Sequence, residues 1–291
     1  YKRANIFYIM PPSSKITFHL YMPSTILSKA RYNTPIISVG NLTVGGTGKT
    51  PMVIFLADKL QNYYSKIVIL SRGYKRKSKG FVIVKDYNSI ISKDVKFTGD
   101  EPLLIAQTTN NCAVCIDNNR KRGIFNIQQE FQPDLIILDD GFQQKGIYKD
   151  CEIVLLNASR PFNEFKLLPI GLAREPLKYL YNANILVYTK SDKHLKPRWS
   201  SKLPSICSYS TIYKSSIYHF SNNELKPLEK INLDVFAFCG IADPSSFLTT
   251  LSENGIKHKG FHAFRDHETY NSKIINKLEK KINLSASSSV I

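Results

Sequence analysis

The residues of this chain whose types and spacing most clearly indicate a chemical role form a glycine-rich turn directly after an apolar run. The turn consists of Thr43, Val44, Gly45, Gly46, Thr47, Gly48, Lys49 and Thr50. Glycines let several backbone N–H groups converge on phosphate oxygens, a lysine ammonium neutralises phosphate charge, and a threonine hydroxyl can ligate Mg²⁺. The turn therefore predicts a binding site for a nucleoside triphosphate and Mg²⁺.

The segments on both sides of the turn have the composition that a phosphate-binding loop requires. Residues 35–39 (Pro-Ile-Ile-Ser-Val) predict a buried strand before the turn. After the turn, apolar side chains recur at helical spacing, namely Val53, Leu56, Ala57 and Leu60. The N-terminus of this predicted helix would add its dipole to the anion site. The alternative is a chance Gly-Lys-Thr in a surface turn, and the flanking strand and helix argue against it.

The spacing of the glycines departs from the usual P-loop pattern. That pattern places its first glycine five residues before Gly48, where this chain has Thr43. The layout Gly-Gly-x-Gly-Lys-Thr is similar to the loop of the partitioning ATPases, but that class carries a lysine at the position of Val44. A partitioning-type ATPase switch, which would dimerise on nucleotide and bind DNA or a membrane, is an alternative to an enzyme of phosphoryl transfer, and Val44 argues against it.

A second group of candidate residues follows an apolar run at residues 135–138. Asp139 and Asp140 cap this predicted strand in the form of a Walker B element, in which an acid at the strand end holds the Mg²⁺ shell. Phosphoryl transfer to an alcohol also needs a proton acceptor, for which Asp100 is a candidate. Cations must offset the charge of the transferring group, and the candidates are Arg72, Arg120 and Arg174. For each of these last four residues the alternative is a surface ion pair.

The elements that must position these side chains alternate between strands and helices. Short apolar runs recur at residues 67–70, 113–116, 135–138, 153–156 and 185–188. Strands that alternate with helical stretches favour an α/β fold with a doubly wound, mostly parallel sheet. Polar residues follow several of these runs. Because ligands of such sheets bind at the carboxyl ends of the strands, we expect these polar residues to share one crevice.

Changes in composition along the chain predict four segments. Residues 1–32 form an N-terminal membrane-proximal segment, and residues 33–192 form the P-loop nucleotide-binding domain. Residues 193–233 are rich in Lys, Ser, Pro and Asn and are expected to form an extended linker ribbon. Residues 234–291 begin a new strand and helix pattern, which predicts a second, smaller α/β domain.

Charge and composition limit the possible functions without choosing among them. The formal net charge of +17 favours anionic partners such as nucleic acid, acidic lipid surfaces or phosphorylated small molecules, or reflects a solvated face. No run approaches the roughly 18 apolar residues of a membrane span, although residues 16–27 could lie on a bilayer surface. The five cysteines form no regular framework, and we expect Cys112 and Cys115 to pack in the core.

Six motifs of this chain occur in the order seen in one family. They are Gly-Asn-x-Thr-Val-Gly-Gly-Thr-Gly-Lys-Thr-Pro (40–51), Ser-Arg-Gly-Tyr (71–74), Gly-Asp-Glu-Pro (99–102), Asp-Asp-Gly-Phe-Gln (139–143), Arg-Glu-Pro-Leu (174–177) and Phe-x-Asp-His (264–267). In this combination the chain resembles the tetraacyldisaccharide 4'-kinases over roughly residues 31–270. The resemblance implies ATP-dependent phosphorylation of the 4'-hydroxyl of an acylated glucosamine disaccharide 1-phosphate, which forms lipid IVA in lipid A biosynthesis. It also implies a monomer without a nucleic-acid partner, peripheral on the cytosolic face of the bacterial inner membrane.

The resemblance assigns roles to the residues at matching positions. Lys49 and Thr50 would contact phosphate and Mg²⁺, with Asp139 on the metal and Asp140 in the active site. Asp100 would act as the base, paired with His267 from the second domain, so that domain closure would complete the site and exclude water. The matching motifs also imply nucleotide-binding roles for Arg72, Glu101, Arg120, Gln143, Arg174 and Glu175.

The chain departs from the family pattern at several points. Gln144 stands where the family usually has a histidine, which leaves a cationic role at this position in question. His267 is followed by Glu268, where the family often has a second histidine. The chain opens on Tyr1 and lacks the late Thr-Glu-Lys-Asp strand, so we expect it to be shortened at both ends. A folded but inactive nucleotide-binding remnant is therefore a third interpretation.

Overall fold

A computed structural model describes most of the chain. The described residues are 29–191, 196–210, 218–221, 224–227, 235–241, 244–265, 268, 270–285 and 289–290. The expected surface segment at residues 16–27 and the predicted base partner His267 lie outside the described residues.

An eight-stranded sheet forms the centre of the larger part of the structure. Its strands are β1 (Ile36–Asn41), β2 (Ile67–Ser71), β3 (Val82–Lys85), β4 (Cys112–Ile116), β5 (Leu135–Asp139), β6 (Cys151–Asn157), β7 (Ile185–Thr189) and β8 (Cys207–Ser210). Their order across the sheet is β3-β4-β2-β5-β1-β6-β7-β8. Every neighbouring pair is parallel except β3 with β4. The predicted α/β fold with a mostly parallel sheet is confirmed.

Helices cover both faces of this sheet. They are α1 (Lys49–Leu60), α2 (Val95–Thr98), α3 (Asp100–Thr108) and α4 (Arg120–Phe131), with short 3₁₀ helices at Phe162–Phe165, Leu177–Asn182 and Arg198–Lys202. On one face Ile69 of β2 packs in a cluster with Val53 of α1 and Ile105 of α3. On the other face Val68 of β2 packs in a cluster with Ile124 of α4. Because both faces are covered, β2, β4 and β5 are buried at every position.

The central strand β1 lies between β5 and β6. Its register pairs Val39 with Asp139 on one side and Asn41 with Leu155 on the other. The three strands run parallel, so their carboxyl ends lie at the same edge of the sheet. The fold thereby brings the glycine-rich turn after β1 next to the acids that end β5.

Two strands of the sheet were not predicted from the sequence. β3 is an antiparallel edge strand of four residues. β8 reads Cys-Ser-Tyr-Ser, lies within the predicted linker at residues 193–233, and pairs in parallel with β7. Both strands are only four residues long, which is too short for a hydrophobic period to identify them. The division into domains stays a prediction, although the sheet extends into the range assigned to the linker.

Smaller sheets follow along the chain. β9 (Tyr218–Ser221) and β10 (Glu224–Pro227) form an antiparallel pair. β11 (Val235–Cys239), β12 (His258–Ala263) and β13 (Ser289–Val290) form a parallel sheet, accompanied by α5 (Pro244–Glu253) and α6 (Ser272–Leu284). The core of this unit contains Val235, Ala237, Leu251 and Ile256. Over the described part of the chain, no helix combines the length and the apolar composition needed to cross a membrane.

Candidate active site

The glycine-rich turn connects β1 to α1 with the backbone geometry of an anion site. Gly45 has φ +95° and Gly48 has φ +83°, a region in which a residue with a Cβ atom is strained. Gly48 is the N-cap of α1, and no side chain caps this helix end. The first N–H groups of a helix without a side-chain cap point outward along the positive end of its dipole. The turn is therefore built to receive an anion at the start of α1.

Two buried side chains fix the shape of this turn. Asn41, the last residue of β1, donates from Nδ2 to the carbonyl oxygen of Thr43 at 2.7 Å and to Oγ1 of Thr47 at 2.8 Å. Thr189, the last residue of β7, donates from Oγ1 to the carbonyl oxygen of Thr47 at 3.0 Å. Asn41 and Thr189 were not among the predicted site residues. For Asn41 a signal existed, since it is a polar residue at the end of an otherwise apolar strand.

Replacement of Asn41 by alanine is expected to raise the KM for ATP about ten-fold, because loss of a buried hydrogen-bonding group frees the turn. Asn184→Ala is the control, since the side chain of Asn184 also makes a hydrogen bond, in which its Oδ1 accepts from the N–H of Glu152 at 2.7 Å, but Asn184 precedes β7 at the opposite edge of the sheet from the turn. Steady-state kinetics and thermal unfolding measure both variants. Equal effects of the two variants on the KM for ATP would contradict a specific role of Asn41 in the turn.

Two consecutive acids, the last residue of β5 and the residue after it, lie at the same edge of the sheet. The carboxylate of Asp139 is buried and accepts a hydrogen bond from Oγ of Ser71 at 2.7 Å. Burial raises the pKa of Asp139, and the neighbouring carboxylate of Asp140 adds to this effect. A buried carboxylate with a raised pKa gains from a nearby cation, so this side chain suits a metal or an ammonium group.

Asp140 faces two cationic side chains. Its Oδ1 lies 3.6 Å from Nζ of Lys49, and its Oδ2 lies 3.3 Å from Nη1 of Arg174. Burial alone would raise the pKa of Asp140, but the charges of Lys49, Arg174 and Arg72 outweigh burial and lower it. Asp140 also has φ +54°, an uncommon conformation for a residue other than glycine. Such backbone outliers cluster at functional sites.

Arg120 lies beneath the end of β5 rather than in an open crevice. Arg120 is 2% exposed, and its guanidinium donates to the carbonyl oxygens of Asp139 and Asp117. Burial lowers the pKa of Arg120 to about 10, against the opposing charge of Asp139. Arg120 thus braces the strand end that carries the acids, and its contact with a nucleotide stays a prediction. Arg72 is half-buried, and its Nε has no hydrogen-bond partner among the described residues.

The N-terminus of α3 brings two further predicted acids to this site. Gly99, with φ +86°, turns the chain into α3, which begins with Asp100 and Glu101. Burial raises the pKa of Glu101, the charge of Asp139 raises it further, and the charge of Lys49 opposes both. Asp100 is exposed. Because the charges of Lys49 and Asp139 act on Glu101, the start of α3 lies near the turn and the end of β5.

The remaining predicted residues lie in segments that contact the turn. Gln143 donates from Nε2 to the carbonyl oxygen of Asn41 at 2.8 Å. Glu175 pairs through Oε1 with Nζ of Lys145 at 2.8 Å. Gly141 has to be glycine, because a Cβ atom there would overlap the hydroxyl of Ser38.

Most of the predicted site residues are therefore described and converge at one edge of the sheet. His267 lies outside the described residues, so its pairing with Asp100 stays a prediction. Gln144, which stands where the family usually has a histidine, likewise has no assigned role. The backbone N–H of Gln144 donates to the carbonyl oxygen of Gly141 at 2.9 Å.

Three comparisons with known proteins give the same result. The family model described as tetraacyldisaccharide-1-P 4'-kinase matches residues 15–291. The tetraacyldisaccharide 4'-kinase of Chlorobium chlorochromatii is 35% identical over 262 residues, which cover 85% of this chain and 69% of the relative. That of Aquifex aeolicus is 37% identical over 238 residues, which cover 81% of this chain and 72% of the relative.

A solved structure is similar to this one. It is the crystal structure of the "apo" form of LpxK from Aquifex aeolicus in complex with ATP, and the two structures have a TM-score of 0.66. The sequences are 33% identical, and the match covers 84% of this chain and 75% of that chain.

Proposed function

This chain belongs to the tetraacyldisaccharide-1-P 4'-kinase family, and we propose that it transfers the γ-phosphoryl group of ATP to the 4'-hydroxyl of an acylated glucosamine disaccharide 1-phosphate. The family assignment supports this kinase function and does not support the partitioning-type ATPase alternative. ATP binding agrees with the ATP complex of the similar structure.

One observation supports the proposed chemistry more than any other. The ammonium of Lys49 lies 3.6 Å from Asp140, at the edge of the sheet where Asp139 ends β5. Transfer of a phosphoryl group requires cations around the phosphates and acids that hold the metal. The carboxyl ends of β1 and β5 supply both kinds of group at one edge of the sheet.

We assign the binding of the triphosphate to the turn at residues 43–50, with Arg72 and Arg174 as further cations. Lys49 would neutralise charge on the transferring group, where a preorganised cation acts without the cost of reorganisation. Arg174 and Lys49 both contact Asp140. Asp140 would therefore hold the two cations in position between one turnover and the next.

The residues at this edge also fit a magnesium ion. Mg²⁺ prefers oxygen ligands and is usually held by one or two carboxylates together with substrate phosphates and water. Among the described residues no group of three or more His, Cys, Asp or Glu could hold a metal by itself, which agrees with that mode of binding. Asp139 and the hydroxyl of Thr50 would hold Mg²⁺, which would offset phosphate charge when bound.

We propose that Asp100 accepts the proton of the sugar hydroxyl. It stands at the start of α3, beside Glu101, whose pKa is raised by burial and by the charge of Asp139. His267 would pair with it from the second unit and leave the site incomplete until the two units close. Closure would exclude water, which otherwise competes with the sugar for the phosphoryl group.

We further propose that the protein acts as a peripheral monomer on the cytosolic face of the bacterial inner membrane, without a nucleic-acid partner. The acceptor is an amphiphile, so its sugar is expected at the surface of a bilayer while its acyl chains remain inside. The net charge of +17 favours an anionic surface.

A paired measurement on one preparation tests the proposed function. We expect ATP to bind and, in detergent micelles that contain the acylated disaccharide 1-phosphate, a phosphate to appear at the 4' position, as read by mass spectrometry. Chelation of Mg²⁺ should abolish the transfer and added Mg²⁺ should restore it. ATP binding without any transfer would identify an inactive remnant, and transfer to acceptors without acyl chains at an equal rate would contradict the proposed substrate class.

A further inference from the structure

A short segment next to the active site exposes an unusual run of apolar side chains. We call residues 166–170 (Lys-Leu-Leu-Pro-Ile) the 166–170 tip, and all five are exposed. Leu167 is 44% exposed, Leu168 is 50% exposed and Ile170 is 63% exposed. Single exposed apolar residues are ordinary on a protein surface, but a contiguous apolar patch marks a contact surface for a protein, a ligand or a membrane.

The backbone holds the tip in this shape. The N–H of Leu168 donates to the carbonyl oxygen of Ala173 at 3.0 Å, and the N–H groups of Ile170 and Gly171 donate to the carbonyl oxygen of Leu167 at 3.0 Å. Gly171 permits the close turn, because a Cβ atom there would overlap the carbonyl oxygen of Lys166. These hydrogen bonds hold the backbone of the tip in the conformation in which its apolar side chains are exposed.

The base of the tip is joined directly to the phosphate-binding turn. The N–H of Val44 donates to the carbonyl oxygen of Leu172 at 2.8 Å, and the N–H of Arg174 donates to the carbonyl oxygen of Leu42 at 2.8 Å. Thr43 and Ala173 form an antiparallel bridge between these two bonds. A surface that binds the tip therefore lies close to the turn at residues 43–50.

The charge around the tip favours an anionic partner. Residues 165–174 contain Lys166 and Arg174 and no acid. The acids on either side are paired: Glu164 with Arg160 at 2.6 Å, and Glu175 with Lys145 at 2.8 Å. Arg174 is paired with Asp140, so Lys166 is the cation that adds positive charge beside the exposed apolar side chains. Apolar side chains next to such a lysine match a bilayer that contains anionic lipids, in which acyl chains lie beneath negative headgroups.

We propose that the 166–170 tip inserts Leu167, Leu168 and Ile170 into the surface of an anionic bilayer. The insertion sets the phosphate-binding turn at the height of the membrane surface, where the sugar of a lipid acceptor lies. The benefit to catalysis rests on the proposed function, whereas binding of the tip to a bilayer does not. A vesicle without acceptor therefore tests the tip independently of any phosphoryl transfer.

The first test compares the full chain with the double variant Leu168→Ser/Ile170→Ser. We expect its partition onto vesicles of phosphatidylethanolamine and phosphatidylglycerol, measured by co-sedimentation, to fall about ten-fold or more, because two apolar side chains no longer enter the bilayer. Phe125→Ser is the matched control, since Phe125 on α4 is 58% exposed and lies outside the tip. Transfer to acceptor in detergent micelles should not change.

Lys166→Glu gives a second, independent test that leaves the apolar residues in place. Binding of this variant to anionic vesicles should be weaker than that of the parent, whereas its binding to phosphatidylcholine vesicles should change little, since the lysine charge contributes only with anionic lipids. Unchanged partition of both tip variants would overturn the proposal. An equal loss of transfer in micelles and on vesicles, with vesicle binding intact, would also overturn it and would indicate that the tip contacts the acyl chains of the acceptor. Absence of transfer in the parent would refute the proposed function and leave the vesicle result valid.

Discussion

Replacement of Lys49 by methionine is expected to lower kcat about 10³-fold, the effect of removing one preorganised cation or donor from a developing charge. Lys49 is the first residue of α1, and its ammonium lies 3.6 Å from the carboxylate of Asp140. Methionine keeps most of the length and the apolar stem of lysine and removes only the charge. The loss should therefore appear in the chemical step more than in folding.

Lys59→Met is a close control for this variant. Lys59 lies on the same helix and also has its Nζ 3.6 Å from a carboxylate, that of Asp58, but this pair is largely exposed. An exposed ion pair contributes little, so the control should keep the kcat and thermal stability of the parent. Steady-state kinetics with saturating ATP and acceptor separate the two variants. If Lys49→Met retained more than about a tenth of the parental kcat, the assigned role of Lys49 would be refuted.

The turn and the acids after β5 could be predicted because each is contiguous in the sequence. A glycine-rich turn before Lys49 and a pair of acids after an apolar strand each carry their chemistry within a few residues. Parallel strands end at the same edge, so the topology alone predicts that these two segments meet. Periodicity alone gave no role to Glu101 or Gln143, which came only from the resemblance to a family.

The hydrogen bond from Thr189 that fixes the shape of the turn could not be predicted, because it joins residues that are far apart in the sequence. Thr189 and Thr47 are 142 residues apart, and their hydrogen bond depends on the position of β7 two strands from β1. Nothing near Thr189 distinguishes it from other threonines at strand ends. The 166–170 tip is similar in this respect, since a short apolar run has no period that tells an exposed loop from a buried strand.

Substitution of Asp100, the proposed base, or of His267, its proposed partner, gives the second large expected effect on kcat. Asp100→Asn should lower kcat by about 10² to 10⁴, the range for loss of a general base, and His267→Ala should lower it by a similar factor. Asparagine keeps the size of the side chain and its place at the start of α3 but does not accept the proton. Asp94→Asn is the control, because Asp94 is an exposed acid at the preceding helix start, where it caps α2 by accepting from the N–H of Lys96 at 2.9 Å.

The double variant Asp100→Asn/His267→Ala decides whether these two residues act as one unit. Groups that act together in one step are strongly non-additive, so the double variant should be about as slow as the slower single variant. Independent roles would instead multiply the two losses. Single-turnover measurements, with ATP affinity determined on the same samples, keep this comparison separate from nucleotide binding. Parental rates in both single variants would exclude Asp100 and His267 as the base and its partner and would require another proton acceptor.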